Sequence, residues 1–242
     1  MLPMTWMQPE QAFSPDGKKA EAAQDMVYRR LKQHVLGLPR DEGIFLTEAE
    51  VCRAIGTSRT PVREALLRLE ADGLLQIVPK KGAYVAPITE AQINSLMQAR
   101  ALVEDWCARR AAGIGEPLAD ELDRLIRQQD EMRDNPVGFI ECDREFHRTI
   151  VNAAGNPVLA EFYESLRDRQ LRMGVHAVLA AQDRVASVLA EHEGIAAGVR
   201  AEDAERAAAA TSLHLSNTLT VLRLPTAPSW AKGIALPQGS GF

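Results

Sequence analysis

The sequence predicts a mainly α-helical chain with a small mixed part followed by a larger all-helical part. Residues 19–87 hold short helical patterns and then two β-rich runs around a Lys-Lys-Gly turn. In residues 88–224, apolar residues recur at helical spacing, Gly, Asn or Pro separate the runs, and no alternating strand pattern occurs. We therefore expect three helices with a β-hairpin, followed by an antiparallel bundle of six or seven helices.

A helix-turn-helix pattern occupies the middle of the small part. Thr47 and Glu50 have the spacing of a capping box, which predicts a helix from about Glu48 to Ile55. Gly56 supplies a turn position that tolerates positive φ, and Ser58 can cap the next helix by accepting a hydrogen bond from a first-turn amide. A helix, a short glycine-containing turn and a second helix form this pattern.

The second helix of the pair has a polar outer face at its N-terminal end. Its buried face is predicted at Val62, Ala65, Leu66 and Leu69, which recur at three- and four-residue spacing. Arg59 and Arg63 are four residues apart on another face, with Thr60 beside them. Recognition helices contact bases and phosphates with this end, so the pattern indicates contact of Ser58, Arg59, Thr60 and Arg63 with double-stranded DNA.

A basic β-hairpin is predicted directly after this helix. Gly73 ends the helix, and residues 74–78 and 83–85 are β-rich runs joined by the turn Pro79-Lys80-Lys81-Gly82. Two strands alone are marginally stable, so the hairpin must pack on the helices as a wing. The expected arrangement is a winged helix-turn-helix, in which Lys80, Lys81 and Gly82 are further candidates for DNA contact.

The run SRTPVREALLRLEADGL from Ser58, followed by KKGAYV, resembles the winged helix-turn-helix of GntR-family transcription regulators, over about residues 24–87. The resemblance implies phosphate and major-groove contacts from the four residues at the helix start, with Gly82 near the minor groove. It also implies repression of transcription from palindromic half-sites, read by a homodimer. Ala49 departs from the family, whose members often carry an arginine there, so one phosphate contact is expected to be missing.

Charge divides unevenly between the two parts. Residues 18–87 contain 12 Lys and Arg against 9 Asp and Glu, whereas residues 88–224 contain 15 against 22. A mildly basic module is thus joined to an acidic body, within a net charge of −5. Because the acidic body would repel DNA, binding is expected to be confined to the small part and to be sensitive to salt.

Composition restricts the cellular setting. No run approaches 18 consecutive apolar residues, and the N-terminus lacks the positive start and apolar core of a secretory signal. Three widely separated cysteines without a C-x-x-C pair indicate a reduced, cytoplasmic protein. Residues 1–18 and the Pro/Gly-rich residues 225–242 are expected to be flexible tails around the two domains, 19–87 and 88–224.

The bundle helices are predicted from amphipathic runs between punctuating residues. The runs are 89–112, 118–133, 137–154, 157–178, 183–200 and 201–223. Helices of this length enclose a core large enough for a ligand pocket.

Four potential metal ligands lie on apolar helix faces. Asp143 and His147 are four residues apart on the side that carries Phe139, Phe146 and Ile150, while His192 and His214 lie on apolar stripes of two other helices. Any one of them could be a core residue with a protein partner. Together they favour one divalent metal ion, because each buried imidazole or carboxylate needs a partner. Imidazoles with one carboxylate suit Zn, Ni, Mn or Fe, zinc being our first choice.

The sequences DREFH, EHEGI and SLHL around these ligands resemble the metal-binding pattern of the FCD domain, the effector domain of the FadR branch of GntR regulators, over about residues 89–223. The resemblance implies that Asp143, His147, His192 and His214 bind the metal, and that Arg100 binds the carboxylate of a small organic or sugar acid effector. From the residues alone, an Arg100–Glu104 pair within one helix is an equal alternative. His176 and the group Arg167, Arg169 and Arg172 are interpreted as polar or solvated positions.

Two other functions remain open from the sequence. Three histidines and a carboxylate with an open position could activate water in a metal-dependent enzyme. No candidate general base is evident beyond the ligands, and a DNA-binding module has no obvious place in such an enzyme. The chain could also be a constitutive DNA binder whose metal is purely structural.

Overall fold

The computed structural model describes residues 17–180 and 183–224. Within these ranges the chain forms ten helices and one three-stranded sheet. The elements are α1 Gly17–Gly37, β1 Ile44–Leu46, α2 Glu48–Ile55, α3 Arg59–Ala71, β2 Gln76–Val78, β3 Gly82–Val85, α4 Glu90–Ala112, α5 Glu116–Glu131, α6 Pro136–Ala153, α7 Pro157–Ser165, α8 Arg167–Ala180, α9 Arg184–Arg200 and α10 Ala204–Leu222. The expected tails lie outside the described residues, except residues 17 and 18, which begin α1.

The helix-turn-helix forms as its capping residues predict, with one difference. Thr47 and Glu50 make the reciprocal capping box of α2, and Gly56 ends that helix in the left-handed conformation at φ 73°. Ser58 is the N-cap of α3, but its side chain makes no capping hydrogen bond. The prediction that Ser58 caps with its side chain is therefore wrong, and its exposed hydroxyl is left for another partner.

The small sheet contains a strand that the sequence did not reveal. The strand order is β1-β3-β2 and both pairings are antiparallel, with Phe45 opposite Tyr84 and Ile77 opposite Ala83. The three residues of β1 are too few to show a periodicity, and their hydrogen-bond partners come from β3, about 40 residues later. The wing is thus a three-stranded sheet rather than an isolated hairpin.

Gly82 allows the backbone of the wing to approach the backbone of β1 closely. Its φ is +109°, and a Cβ at this position would stand 2.5 Å from the carbonyl oxygen of Leu46. Only glycine fits so close an approach of two backbones. Gly82 therefore has a structural reason to be glycine that is independent of any contact with DNA.

The second domain is an all-helical bundle of seven helices, α4–α10, among the described residues. α10 packs on α4 and α9, and α6 lies against α4, α5 and α8. The predicted boundaries agree to within a few residues, except that the single run predicted at 157–178 is two helices that break at Leu166. No Gly or Pro marks this break, so the apolar periodicity could not show it. The small domain contacts the bundle mainly through α1 against α8.

Among the described helices, none combines the length and the apolar character that crossing a bilayer requires.

Candidate metal centre and DNA-facing surface

Four side chains from three helices meet inside the bundle. Asp143 and His147 come from α6, His192 from α9 and His214 from α10, and one ligand atom of each lies within 4.8 Å of the others. The three imidazoles are almost completely buried. The four-residue spacing on α6 places Asp143 and His147 on one face, as the sequence indicates.

A close helix crossing brings His192 and His214 together. A Cβ on Gly198 of α9 would stand 2.7 Å from the backbone of Ala207 on α10, so the two helices approach as closely as glycine allows. Phe146 then stacks on the His192 ring with centroids 4.0 Å apart and planes 4° from parallel. The stacked phenyl ring fixes the plane of this imidazole within the core.

Each histidine donates from its Nδ1 to an oxygen acceptor. The Nδ1 of His147 lies 2.9 Å from Glu104 Oε2, and that of His214 lies 2.7 Å from Glu191 Oε2. The Nδ1 of His192 lies 2.9 Å from Oε1 of Gln129, whose own amide nitrogen donates to the Phe139 carbonyl. These partners place the proton of each neutral ring on Nδ1 and leave Nε2 with a free lone pair.

The three Nε2 atoms face a common centre. Nε2 of His147 is 3.2 Å from Nε2 of His214, and Nε2 of His192 is 3.4 Å from Oδ1 of Asp143. Nε2 of His192 is buried and has no hydrogen-bond partner among the described residues. Converging lone pairs and a carboxylate repel one another unless a cation lies between them. The donor set therefore fits a divalent metal ion such as zinc.

The protonation states of these groups favour cation binding. Burial lowers the pKa of His192 to about 3, so its ring is neutral at pH 7. Burial alone would raise the pKa of Asp143, but the neighbouring histidines hold it below its ordinary value. Burial also opposes ionisation of Glu191, yet hydrogen bonds from His214, Arg184 and Asn217 lower its pKa to about 2.

Glu104 connects the centre to Arg100. The Nε of Arg100 donates to Glu104 Oε1 at 2.6 Å, and the Tyr163 hydroxyl donates to the same oxygen at 3.0 Å. Although burial opposes ionisation, the charge of Arg100 holds the pKa of Glu104 well below its ordinary value. The pair left open by the i, i+4 spacing is therefore present, and Arg100 also lines the cavity beside the centre.

This metal-side cavity has a volume of about 30 Å³. Asp143, His214, Arg100 and Arg184 form part of its wall, as does the flexible side chain of Met173. That volume admits one or two water molecules or the acidic end of a ligand. A larger ligand has to displace the methionine, which its unbranched side chain allows.

The side chains predicted to contact DNA are exposed on the small domain. Ser58, Arg59, Thr60 and Arg63 are exposed at the start of α3, and Lys80 and Lys81 are exposed in the β2–β3 turn, with Lys80 at φ 65°. The Nε of Arg63 donates to Glu48 at 2.8 Å, so one of these arginines already has an acidic partner on α2. Ala49 is also exposed, next to that glutamate.

Several residues around the centre are not evident from the sequence. Glu104, Glu191 and Gln129 each orient one histidine, and Arg184 holds Glu191 through a 2.8 Å hydrogen bond. The sequence pointed to Glu104 only as a partner of Arg100, and Gln129 could have been found as a polar residue on the apolar face of α5, where it is fully buried. Two of the positions interpreted as polar are also corrected, because Arg172 and His176 are buried against the small domain rather than solvated.

Comparison with known proteins identifies relatives of both domains. The FCD domain matches residues 95–217, about half of the chain, and the gntR family of bacterial regulatory proteins matches residues 23–85. An HTH-type transcriptional regulator from an unstable DNA locus of Streptomyces ambofaciens is 30% identical over 202 residues, which cover 78% of this chain and 80% of that protein. The HTH-type transcriptional repressor RspR of Escherichia coli is 33% identical over 144 residues, which cover 58% and 63% respectively.

Solved structures share the fold. E. coli McbR/YncC superposes with a TM-score of 0.60 at 23% sequence identity, covering 82% of this chain and 96% of that one.

Proposed function

We propose that this chain, which belongs to the GntR family of bacterial transcriptional regulators and carries an FCD domain, is a metal-dependent repressor. Its family and its relatives are transcriptional regulators rather than enzymes. In this proposal a small carboxylate binds at the metal centre and lowers the affinity of the small domain for its operator. The observation that carries it is the convergence of three lone-pair-bearing Nε2 atoms and one carboxylate beside a cavity.

Operator binding is assigned to the start of α3 and to the wing. Arg59, Thr60 and Arg63 are exposed at the end of the helix that meets the major groove in helix-turn-helix proteins. Lys80 and Lys81 extend the basic surface toward the neighbouring phosphates. Each phosphate contact that is lost should weaken binding to all sequences by a similar factor and reduce the salt dependence.

A metal ion, with zinc as the first choice, is assigned to Asp143, His147, His192 and His214. FCD domains are known to bind metals, and four protein ligands leave room for a further oxygen ligand from the cavity side. When bound, the metal supplies a positive charge to which an acid can bind. Arg100 and Arg184 also line the cavity, and Arg100 is assigned the second contact with the ligand carboxylate.

A homodimer would present two copies of α3 to two half-sites. Support comes from an exposed apolar strip on the α4–α10 layer, which contains Leu102, Trp106 and Leu213. Arg109 pairs with Glu205, and Arg223 donates to Asn94, so the two helices are antiparallel and Leu102 lies level with Leu213. A second copy of this chain would bury these side chains against their equivalents.

The test measures operator affinity with and without metal and acid. The operator is first selected from random duplexes, and binding is then followed by fluorescence anisotropy at one fixed salt concentration. We expect the zinc-loaded protein to lose affinity about 5- to 150-fold with at least one member of a panel of small organic and sugar acids. Arg59→Ala should bind zinc but lose DNA affinity, whereas His192→Ala should bind DNA but lose the response to acid.

Three results would count against the proposal. They are a zinc stoichiometry below one per chain, a response to an acid that acts on the wild type only with zinc yet survives in His192→Ala, and an operator affinity that no acid changes. The last result, together with a higher melting temperature on zinc loading, would instead identify a constitutive DNA binder with a structural metal.

A further inference from the structure

A second and larger cavity lies where the DNA-binding domain meets the bundle. Its volume is about 270 Å³, against about 30 Å³ for the metal-side cavity. The wall comes from the sheet, from the segment that joins the two domains, and from α8. Leu74, Tyr84 and Ile88 contribute apolar surface to it, and Gln76, Gln92 and Arg172 contribute polar groups. Ligand sites are commonly mostly apolar with a few polar groups, and they occur preferentially at domain interfaces.

Arg172 is the unusual member of this wall. Its residue is only 7% exposed, and its two terminal nitrogens donate to the carbonyls of Ala86 and Pro39, both in the small domain and its connection. Its Nε is buried and has no hydrogen-bond partner in the described part of the chain. Among the side chains that the structure describes, no carboxylate lies within ion-pair distance of this guanidinium. Burial accordingly lowers its pKa.

A buried guanidinium without a carboxylate is energetically costly. Carbonyl dipoles satisfy two of its donors but supply no opposite charge. His176, one helical turn later on α8, is 9% exposed, and its Nε2 also has no partner among the described residues. The charged groups that act on His176 are Arg172, Arg40 and Asp41, so cationic groups outnumber acidic ones at this junction.

We propose that the junction cavity binds a small organic acid whose carboxylate pairs with Arg172 and whose apolar body lies against Leu74, Leu75 and Ile88. This site is separate from the metal centre, and it does not depend on the ligand assigned there. A carboxylate provides the opposite charge that Arg172 lacks, and the apolar residues Leu74, Leu75 and Ile88 favour an acid with an apolar body over a small hydrophilic anion such as phosphate.

Occupation of this site would loosen the contact between the two domains. A carboxylate carries a full negative charge and can accept two parallel hydrogen bonds from a guanidinium, so the ligand competes with the neutral carbonyls of Ala86 and Pro39 for Arg172. Met173 lines both cavities, so a ligand in one contacts the wall of the other. The junction acid is therefore a second input that acts on the same domain arrangement as the metal-side ligand.

The experiment compares acids with their neutral amides on the full-length, zinc-loaded protein. The probes are benzoate and the straight-chain carboxylates from acetate to octanoate, each paired with its amide, and binding is measured by isothermal titration and ligand-observed NMR. We expect at least one acid to bind tenfold or more tightly than its amide. The preference should persist in His192→Ala, which lacks a metal ligand, and should fall to parity when Arg172→Gln is added to that variant.

Two further variants guard against a misfolded Arg172→Gln. Arg172→Lys retains the charge and should keep an acid preference of reduced size. Ile88→Trp fills the cavity and should abolish binding of acid and amide alike, while zinc still loads at one per chain. The proposal is overturned if no acid in the panel is preferred over its amide. It is equally overturned if Ile88→Trp leaves binding intact, or if the preference disappears in His192→Ala, since the acid then binds at the metal centre.

Discussion

Glu104 has three partners at once, and each of them matters to the metal centre. It accepts hydrogen bonds from Arg100 and Tyr163 and fixes the ring of His147 through its other oxygen. With its carboxylate ionised, the buried charge of Arg100 is compensated and the lone pair of His147 points toward the metal position. A single side chain thus links the stability of the bundle to its affinity for metal.

Replacing Glu104 by Gln should therefore weaken both properties. We expect zinc affinity to fall about 10- to 100-fold because His147 loses its carboxylate acceptor. The free energy of unfolding should fall by about 3–5 kcal/mol because Arg100 is left buried without a counter-charge. Competition with a chelator measures the first effect, and urea unfolding of the metal-free protein measures the second.

The matched control is Glu145→Gln, which breaks the half-exposed ion pair of Glu145 with Arg148 on the surface of α6. Exposed pairs contribute about 0–1 kcal/mol, so this variant should keep its zinc affinity and nearly all of its stability. Equal losses in the two variants would show that burial of the Arg100–Glu104 pair has no special weight.

His176 should give the stability of the protein a pH dependence. Burial lowers its pKa to about 4 in the folded state, below its ordinary value of 6.5. Between these values the unfolded chain binds more protons, so stability is full above pH 6.5 and is lost as the pH falls toward 4. His176→Gln should remove a loss on the order of 2 kcal/mol over this range.

The measurement is urea unfolding of metal-free wild type and His176→Gln at pH 7, 6, 5 and 4. Metal-free protein is used because zinc competes with protons for the other buried histidines. Parallel pH profiles for the two proteins would show that His176 is accessible to protons in the folded state.

At the scale of elements, the α9–α10 crossing decides whether His192 and His214 can meet. Gly198 permits that crossing, because any Cβ there would collide with the backbone of Ala207. Gly198→Ala should therefore cost about 1–3 kcal/mol of stability and weaken zinc binding, since the helices have to move apart.

Gly194→Ala, one turn earlier on α9, is the matched control. A Cβ at Gly194 would meet only the Cβ of Ala210 at 3.9 Å, which is an ordinary contact. Replacing a helical glycine without strain should stabilise the protein by about 0.5–1 kcal/mol. If thermal unfolding and zinc titration give the same result for both variants, the close crossing at Gly198 is not what positions the histidines.

Within the helix-turn-helix, an acidic side chain competes with DNA for one of the predicted contact residues. Arg63, one of the proposed phosphate or base contacts, is paired with Glu48 of α2. If Arg63 has to leave this partner to reach DNA, Glu48→Gln should raise operator affinity by up to about 5-fold, as expected for an exposed ion pair.

The appropriate control is Glu64→Gln on α3, which removes an equal charge from an exposed position with no ion pair among the described residues. Anisotropy titrations at the same salt concentration should show a smaller gain for this variant. A larger gain for Glu64→Gln would mean that general repulsion from DNA, rather than the Arg63–Glu48 pair, limits affinity.

At the scale of the whole molecule, two arginines, one from each domain, donate hydrogen bonds to carbonyls across the domain junction. Arg172 of the bundle donates to carbonyls of the small domain and its connection, and Arg40 of the small domain donates to the carbonyls of Leu222 and Leu224 at the end of α10. α10 also carries His214, so one rigid helix extends from the metal centre to the domain junction. Such a continuous contact can carry coupling between the metal centre and the operator-binding surface.

Arg40→Met should uncouple the domains without damaging either one. Zinc and operator should each bind as in the wild type, while the effect of acid on operator affinity should fall by at least half in free energy. Anisotropy titrations with and without acid measure the effect, and Arg124→Met, which removes a surface pair with Glu121, is the control. An acid response of full size in Arg40→Met would show that the coupling does not pass through α10.

The sequence by itself determined the features that depend on neighbouring residues along the chain. Apolar spacing and the residues Thr47, Gly56 and Gly73 gave the helices and turns of the small domain, because caps and helix faces arise from residues three or four positions apart. The same spacing placed Asp143 and His147 on one inward face. The ordered motifs indicated which four side chains lie together in the bundle.

Only the tertiary structure decided which faces meet. The strand β1, the histidine partners Glu104, Gln129 and Glu191, and the burial of Arg172 all depend on elements far apart in sequence. No local periodicity records such pairings, because the energy that fixes them comes from packing and from satisfying buried polar groups. The local sequence thus identifies the candidate metal-ligating residues. Their protonation, their orientation toward the metal position and their connection to the DNA-binding domain depend on the fold.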